Sequence, residues 1–359
     1  AEEKALREEM ALKKDVEEEA LRRVMALKKD AEEKALRKEM ALKKDAEEKA
    51  WRKEMALLKD AEEKALRKEM ALKEDAKEKA LKRDAAKHVF IPSREIAPGV
   101  HMPVISTGMG GEERGQRYEM VKSWLTLGGL GLDVGAAYGH EDDVSKAINE
   151  LGVAREDIFL TSKLPSCQSI EADVIFQEVA LLQVDYVDLL LLAGPTGNCT
   201  NAWQTLEDLY KQGLARSIGI SNFGVADMQE ILSMASIKPA VHQIIFDVFM
   251  HDDEVVSFTR AHNITIEAYS PLRDLTRSEV IHSIASFHDV SPYQVVLRWI
   301  VQQGHTAIFQ PISREHQEVN ADIFNFTLSD VDMALLDGLN DPELTKKRLQ
   351  VKGHEVLGT

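Results

Sequence analysis

Leu132-Asp133-Val134-Gly135-Ala136-Ala137-Tyr138-Gly139-His140-Glu141 follows a short apolar run, Leu130 to Leu132, and closes it with a carboxylate. Small residues then let the backbone turn closely, and a Tyr comes five positions after the Asp. The stretch reads as a strand that delivers two polar side chains to one mouth of a sheet or barrel. An apolar run ending in polar residues returns at Phe159-Leu160-Thr161-Ser162-Lys163, which adds a cation. Asp133, Tyr138 and Lys163 brought together make a proton donor. A free phenol has a pKa of about 10, an adjacent ammonium favours its phenolate, and a carboxylate holds that ammonium in place. Singly, each has an ordinary structural explanation: an Asp caps a strand end and a lone Tyr packs. The ordered set carries the argument.

Outward from this stretch, the chain after Pro92 alternates short strands and helices. Gly99 to Pro103 reads as a small hairpin and Val104 to Gly108 as the first strand. Strands follow at Leu130 to Asp133 and Ile158 to Ser162, then near Val187 to Leu192, Arg216 to Ile220, Ala240 to Gln243, Ile264 to Ala268 and Thr306 to Phe309. Helices are expected at Tyr118 to Leu127 and Asp142 to Glu150. Eight strands alternating with helices over about 250 residues is the size and order of an α/β fold of the (β/α)₈ barrel type, in which polar residues at the strand ends share one face.

Upstream, five copies of a 15-residue unit begin at Ala1, Val16, Ala31, Ala46 and Ala61. The plainest runs Ala31-Glu-Glu-Lys-Ala-Leu-Arg-Lys-Glu-Met-Ala-Leu-Lys-Lys-Asp45, and no Gly or Pro precedes Pro92. Every type but the closing Asp is a good helix former. The expectation is one unbroken helix from near Glu2 to Lys87, about 130 Å long. Glu33 with Arg37 and Glu39 with Lys43 support it by a few tenths of a kcal/mol each. The competing reading is a series of short helices, each capped at an Asp that is followed by x-Glu-Glu. At about 3.75 residues per turn an apolar seam drifts right-handedly. Ala31, Ala35 and Leu42 share one face while Leu36 and Met40 lie well round from it, too diffuse for a tight coiled coil. The arm is therefore a spacer or a helix that docks along protein partners, with any contact recurring roughly every 22 Å.

The 359 residues thus divide into an arm, 1–88, and a barrel, 89–359. Residues 1–87 hold 26 Lys+Arg and 24 Asp+Glu, a net +2, whereas the remainder holds 19 and 37, a net −18. The acidic globular part argues against a nucleic-acid partner, because phosphate contacts need Lys and Arg. Cys167 and Cys199, the only two cysteines, are expected to make no disulfide framework and no metal cluster. A reducing, soluble compartment follows, cytoplasm or an organelle interior. No apolar run reaches membrane-spanning length, the longest being Val187 to Ala193. The chain starts at Ala1 with no signal-like segment, so any targeting piece is expected to lie outside it.

Six motifs stand in order: Gly99-x-x-Met102-Pro103 leading to Gly108-x-Gly110, Asp133 to Tyr138-Gly139-x-Glu141, Thr161-Ser162-Lys163-Leu164, Asp185-Tyr186-Val187-Asp188-Leu189-x-Leu191, Ile218-Gly219-x-Ser221-Asn222-Phe223, and Ala268-Tyr269-Ser270-Pro271-Leu272. From about Gly99 to Asn340 the chain thereby resembles the aldo-keto reductase family. The resemblance implies a barrel that binds NADPH in extended form. It also implies a tetrad of Asp133, Tyr138, Lys163 and a His that orients the substrate carbonyl. Here the His position is Ala193 and the following Trp position is Gly194, and a methyl group neither donates nor accepts a hydrogen bond.

By the same resemblance Ser221, Asn222 and Gln243 hold the carboxamide, Tyr269 stacks on the nicotinamide, Ser270 and Leu272 touch the cofactor, and Asn320 meets the adenine. The Lys and Arg that meet the phosphates are replaced by Gln310 and His316, which removes two fixed charges unless Arg273, Arg277 or Arg314 substitutes. Two functions compete. One is a barrel with degraded catalytic and phosphate sites, a pseudoenzyme serving through its arm as a scaffold in a protein assembly, with weak NADPH binding. The other is an active NADPH-dependent carbonyl reductase with Tyr138 as general acid.

Overall fold

The computed structural model describes residues 2–86, 88–110, 116–135, 141–168, 173–275, 278–310, 313–343 and 345–346. By packing the chain forms two compact units, Ala1–Arg83 and Asp84–Thr359.

The first unit lies within one helix, α1 (Glu2–Ala86), with no turn at Asp15, Asp30 or Asp45. The closing Asp of a unit serves the helix instead of ending it. Lys34 pairs with Asp30 and Lys49 with Asp45, each at 2.7 Å across four residues, and Arg37 pairs with Glu33 at 2.6 Å. Exposed pairs of this kind are worth only tenths of a kcal/mol each, so propensity summed over the length does most of the work.

In the second unit, β3 (Ile105–Gly108), β4 (Gly131–Asp133), β5 (Phe159–Leu164), β6 (Leu189–Leu192), β7 (Ile218–Ser221), β8 (Val241–Ile245), β9 (Thr265–Tyr269) and β10 (Thr306–Phe309) close into a parallel barrel. Helices α2 to α11 surround it: Gln116–Leu127, Glu141–Leu151, Asp173–Leu181, Cys199–Lys211, Val225–Met234, Asp253–Ala261, Glu279–His288, Pro292–Gln302, Arg314–Ala321 and Asp330–Asp337. This is the (β/α)₈ architecture expected from the alternation of elements. Strands such as Leu189-Leu190-Leu191-Leu192 are buried throughout because a barrel strand has a core on both faces. Helix starts are set locally: Ser291 and Gln294 form a capping box with Pro292 in the first turn, and Asn198, Asp252 and Ser313 cap α5, α7 and α10.

The hairpin of β1 (Ser93–Ala97) and β2 (Val100–Pro103) closes the barrel's N-terminal end, where Val100 and Met102 pack against Phe159, Leu189, Leu191 and Val241. Asp188, fully buried at this end, accepts from Arg155 Nη2 and Arg216 Nη1, both at 2.8 Å, and from the Leu160 amide at 2.9 Å. Arg216 also donates to the Gly99 carbonyl at 3.0 Å, tying the hairpin down. The Asp185-to-Leu191 motif therefore serves the floor. Among the described residues no helix is long and apolar enough to cross a membrane.

Candidate active site

At the C-terminal end of the strands a cavity of about 310 Å³ opens, and the side chains around it follow from the two-residue alternation of each strand. Asp133 ends β4 opposite Thr161 of β5, and Lys163, two residues beyond Thr161, shares its face. Ser221 of β7 stands opposite Gln243 of β8, Gln243 opposite Glu267 of β9, and Tyr269 two residues on from Glu267. The cavity is lined by Gly108, Gly110, Asp133, Lys163, Pro165, Ala193, Ser221, Asn222, Gln243, Tyr269, Ser270, Ile308, Phe309 and Gln310.

Lys163 forms an ion pair with Asp133 Oδ1, with 12% and 5% of their side chains exposed. Gln243 Nε2 donates both hydrogens, to Asp133 Oδ2 at 2.9 Å and to Glu267 Oε2 at 2.8 Å, so two carboxyls are bridged by one amide. Burial pushes the Glu267 carboxyl up to about 8, and the negative charge of Asp133 adds to the rise. Near neutrality Glu267 is therefore a neutral acid beneath the Asp133–Lys163 pair. Outside the strands, burial pushes Glu178 of α4 up to about 7, with the Ser162 hydroxyl opposing and the charge of Glu141 adding.

Asn222 has a left-handed backbone, φ 61°, which costs a non-glycine residue about 1 kcal/mol or more and survives only where surroundings fix it. Three contacts do so. Its Nδ2 donates to the Ala193 carbonyl at 3.3 Å and to Ser221 Oγ at 3.2 Å, and its Oδ1 accepts from the Tyr269 hydroxyl at 2.9 Å. The next amide, Phe223 N–H, donates to His242 Nε2 at 3.2 Å, while His242 Nδ1 lies 3.0 Å from Thr259 Oγ1. Because Nε2 accepts, the ring is neutral with its proton on Nδ1, consistent with burial lowering His242 to about 3.

Of the residues singled out from sequence, Asp133, Lys163, Ala193, Ser221, Asn222, Gln243, Tyr269 and Ser270 converge on this cavity. Tyr138 lies outside the described residues, as does Arg277. Leu272 packs on the hydrophobic core, and Asn320 is buried on α10; neither lines the cavity. Gln310 donates to the Gly110 carbonyl, His316 is exposed on α10, and Arg314 is engaged by Glu318 at 3.1 Å and Ser123 at 3.5 Å. Arg273 stands exposed beside the cavity, with Nη2 donating to Ser270 Oγ at 2.9 Å.

The structure corrects one expectation: Cys167 and Cys199 form a disulfide. Their separation of 32 residues hides that Cys167 sits on the loop after β5 and Cys199 at the start of α5, which follows the adjacent strand β6. Sequence reading also missed His242 and Glu267. A His beside Gln243, and a Glu in the apolar run Ile264 to Ala268, were the available signals.

The aldo/keto reductase family model matches residues 105–341. The chain is 40% identical over 253 residues to a glyoxal reductase of Bacillus subtilis, covering 68% of this chain and 91% of that protein. It is 36% identical to an aldo-keto reductase of Mycolicibacterium vanbaalenii, covering 67% and 89%. Among solved structures, an aldo/keto reductase from Brucella melitensis superposes with a TM-score of 0.67 at 33% identity, over 70% of this chain and all of that one. The match runs through the strands that carry Asp133, Lys163, Ser221, Gln243 and Tyr269, and places the chain in the aldo/keto reductase family.

Proposed function

We propose that the barrel reduces small carbonyl compounds with NAD(P)H, and does so slowly because position 193 offers no group to aim the carbonyl. The observation that carries this is the buried Lys163–Asp133 pair opening onto the same cavity as Ser221, Asn222, Gln243 and Tyr269. The substrate class is small aldehydes, of which the name of the Bacillus relative supplies one instance.

The donor set fits the nicotinamide half of the cofactor. With both amide hydrogens of Gln243 committed to carboxyls, its carbonyl oxygen remains an acceptor, and the Ser221 hydroxyl and Asn222 complete a set suited to a carboxamide. The Tyr269 ring is the stacking surface, with Ser270 beside it. Leu272 and Asn320 are assigned to the cofactor by family position alone. The phosphate half fits less well, because Gln310 and His316 bring no fixed charge, Lys163 is engaged by Asp133, and Arg273 reaches the lining only through Ser270. Weak binding of NADPH follows.

The bound dinucleotide supplies a hydride. The protein's part is to hold and give a proton: Tyr138 donates it to the carbonyl oxygen, Lys163 favours the resulting phenolate, and Asp133, steadied by Gln243, holds Lys163 in place. Ala193 leaves the carbonyl unaimed, and Gly194 places no wall beside it.

A second reading is favoured by the arm. Leu21, Leu36 and Leu66, with Met25, Met40, Met55 and Met70, recur at the unit spacing and are all exposed. On that reading the barrel is retained as a scaffold and the arm docks on protein surfaces. Fluorescence titration of NADPH, followed by aldehyde turnover with Tyr138→Phe as control, separates the two. Binding with turnover that Tyr138→Phe abolishes supports the reductase; no binding leaves the scaffold.

A further inference from the structure

The Cys167–Cys199 disulfide, with Cα atoms 4.8 Å apart, ties the loop after β5 to the first residue of α5, where the loop after β6 ends. These loops continue the strand pairing past Leu164 and Leu192. The Ala193 amide donates to the Leu164 carbonyl at 2.9 Å, and Cys167 forms a parallel bridge with Gly197. Gly197 has φ +108°, and a Cβ there would lie 2.6 Å from the Cα of Gln168, so only glycine permits this approach. Each loop also contributes to the cavity: Pro165 from one, Ala193 from the other.

Cys167 Sγ lies 3.3 Å from the Gly194 carbonyl oxygen. Bridged, that sulfur carries no hydrogen; reduced, its S–H finds an acceptor already in place. Cys167 therefore has two partners within reach, Cys199 covalently and Gly194 by a hydrogen bond. Cys199 opens α5, where the unpaired amides of a helix N-terminus favour a departing thiolate. Both cysteines are buried, so exchange proceeds when the loops open locally.

We propose that Cys167 and Cys199 form a reversible thiol–disulfide exchange site for small dithiols, and that the bond sets how firmly one wall of the cavity is held. A thiolate of the dithiol attacks one protein sulfur and the S–S bond breaks. The mixed disulfide then resolves as the second thiol of the same molecule attacks. The two protein sulfurs gain two electrons and two protons, and the dithiol, losing them, closes to its own disulfide. In the bridged state Pro165 and Ala193 are pinned together from opposite loops. In the reduced state the Gly197 packing keeps the loops adjacent, so re-closure is intramolecular, while residues 194–199 gain freedom. That this wall meets the substrate rests on the reductase reading; the tether itself does not.

The test uses the full chain. Differential alkylation with mass spectrometry, in buffers of graded dithiothreitol, counts thiols in the native protein. Amide hydrogen exchange of the segments 164–168 and 193–199 is followed in the same samples. The two thiols are expected to appear together, to re-pair when the reductant is replaced by oxidised glutathione, and to be accompanied by about a tenfold or larger rise in exchange at 193–199. Cys199→Ser is expected to show the fast exchange without reductant; should it fail to fold, the reduced wild-type chain gives the same reading. A bond that resists millimolar dithiothreitol in the native state, or a reduced protein whose exchange at 193–199 is unchanged, overturns the proposal. A chain that passes this test yet reduces no aldehyde counts against the reductase reading alone.

Discussion

Two buried aspartates at opposite ends of one barrel are treated differently by the fold. Asp188, at the N-terminal end, is saturated by two guanidinium groups and an amide, all supplied by the protein. Asp133, at the other end, holds one ammonium and one side-chain amide, and its ion pair faces a cavity. The same carboxylate chemistry is closed and structural at the floor, and open to a ligand at the mouth. In a (β/α)₈ barrel the strands fix both ends, but only the C-terminal loops leave room for a reacting molecule.

The largest effect that would break this comparison is on stability. Asp188→Ala is expected to cost about 3 kcal/mol, because it strips a fully buried carboxylate from the half-buried Arg155 and leaves the buried Leu160 amide without its acceptor. Asp133→Asn is expected to cost about 1 kcal/mol, since the amide keeps an acceptor oxygen for the Lys163 ammonium, which borders the cavity. Urea unfolding followed by near-UV circular dichroism, to which the buried Trp124, Trp203 and Trp299 contribute, measures both. Equal losses would show that the two ends are not distinct.

The next effect sharpens the mouth. Ala193→His is expected to raise aldehyde reduction by about ten- to a hundredfold at fixed cofactor, through positioning of the carbonyl oxygen near the phenol. Dinucleotide affinity should stay within about twofold, since the residues assigned to the carboxamide lie on the ends of β7 and β8. An unchanged turnover rate would mean that the missing imidazole is not what limits this barrel.

What the sequence disclosed follows the same division. The strands were legible because buried apolar runs ending in polar residues mark barrel strands whatever lies between them. The helix α1 was legible because nothing in it opposes helix formation. Asp133, Lys163, Ser221, Asn222 and Tyr269 were legible because they sit at strand ends within recognisable motifs, and Gln243 because the family resemblance places it at the end of the Ala240 to Gln243 strand. Asp188 was legible only as part of a motif; its partners, Arg155 and Arg216, are 33 and 28 residues away and belong to no pattern. His242 and Glu267 were hidden for a related reason: their importance depends on what they touch across strands, Phe223 and Gln243. The cysteine pair needed the adjacency of β5 and β6 before its sulfurs could be seen to meet.

A smaller effect probes the neutral acid under Asp133. The carboxyl of Glu267 is raised in the folded protein to about 8, from an ordinary 4.5. Below about pH 4.5 it is protonated in both folded and unfolded chains, so it contributes no pH dependence there. Between these values the unfolded chain ionises it and the folded chain does not, so stability falls as pH rises, and the penalty levels off above about 8. Glu267→Gln removes that penalty while keeping an acceptor for Gln243. It is expected to stabilise the barrel by about 1 kcal/mol at pH 8 and by almost nothing at pH 4.5. A variant less stable than the parent at pH 8 would mean that Glu267 is ionised in the fold, and that the mouth holds two anions rather than one.

The smallest effect is a preference between two cofactors. Recognition of the phosphate that distinguishes NADPH from NADH needs a fixed positive charge or a fork of donors in the right direction. Gln310 is neutral and already donates to the Gly110 carbonyl, His316 is exposed, and Arg314 is held by Glu318 and Ser123. Arg273 is paired with Ser270 at the cavity's edge, where a single cation would act on any phosphate alike. The two dissociation constants are therefore expected to lie within about threefold of each other, under 1 kcal/mol. His316→Arg is expected to favour NADPH by about tenfold while leaving NADH unchanged, and Arg273→Gln to weaken both together, more at low salt than at high. Parallel fluorescence titrations read all four outcomes. A strong NADPH preference in the parent chain, lost in Arg273→Gln, would move phosphate recognition to the loop after β9 and make this end of the cavity as completely furnished as the floor around Asp188.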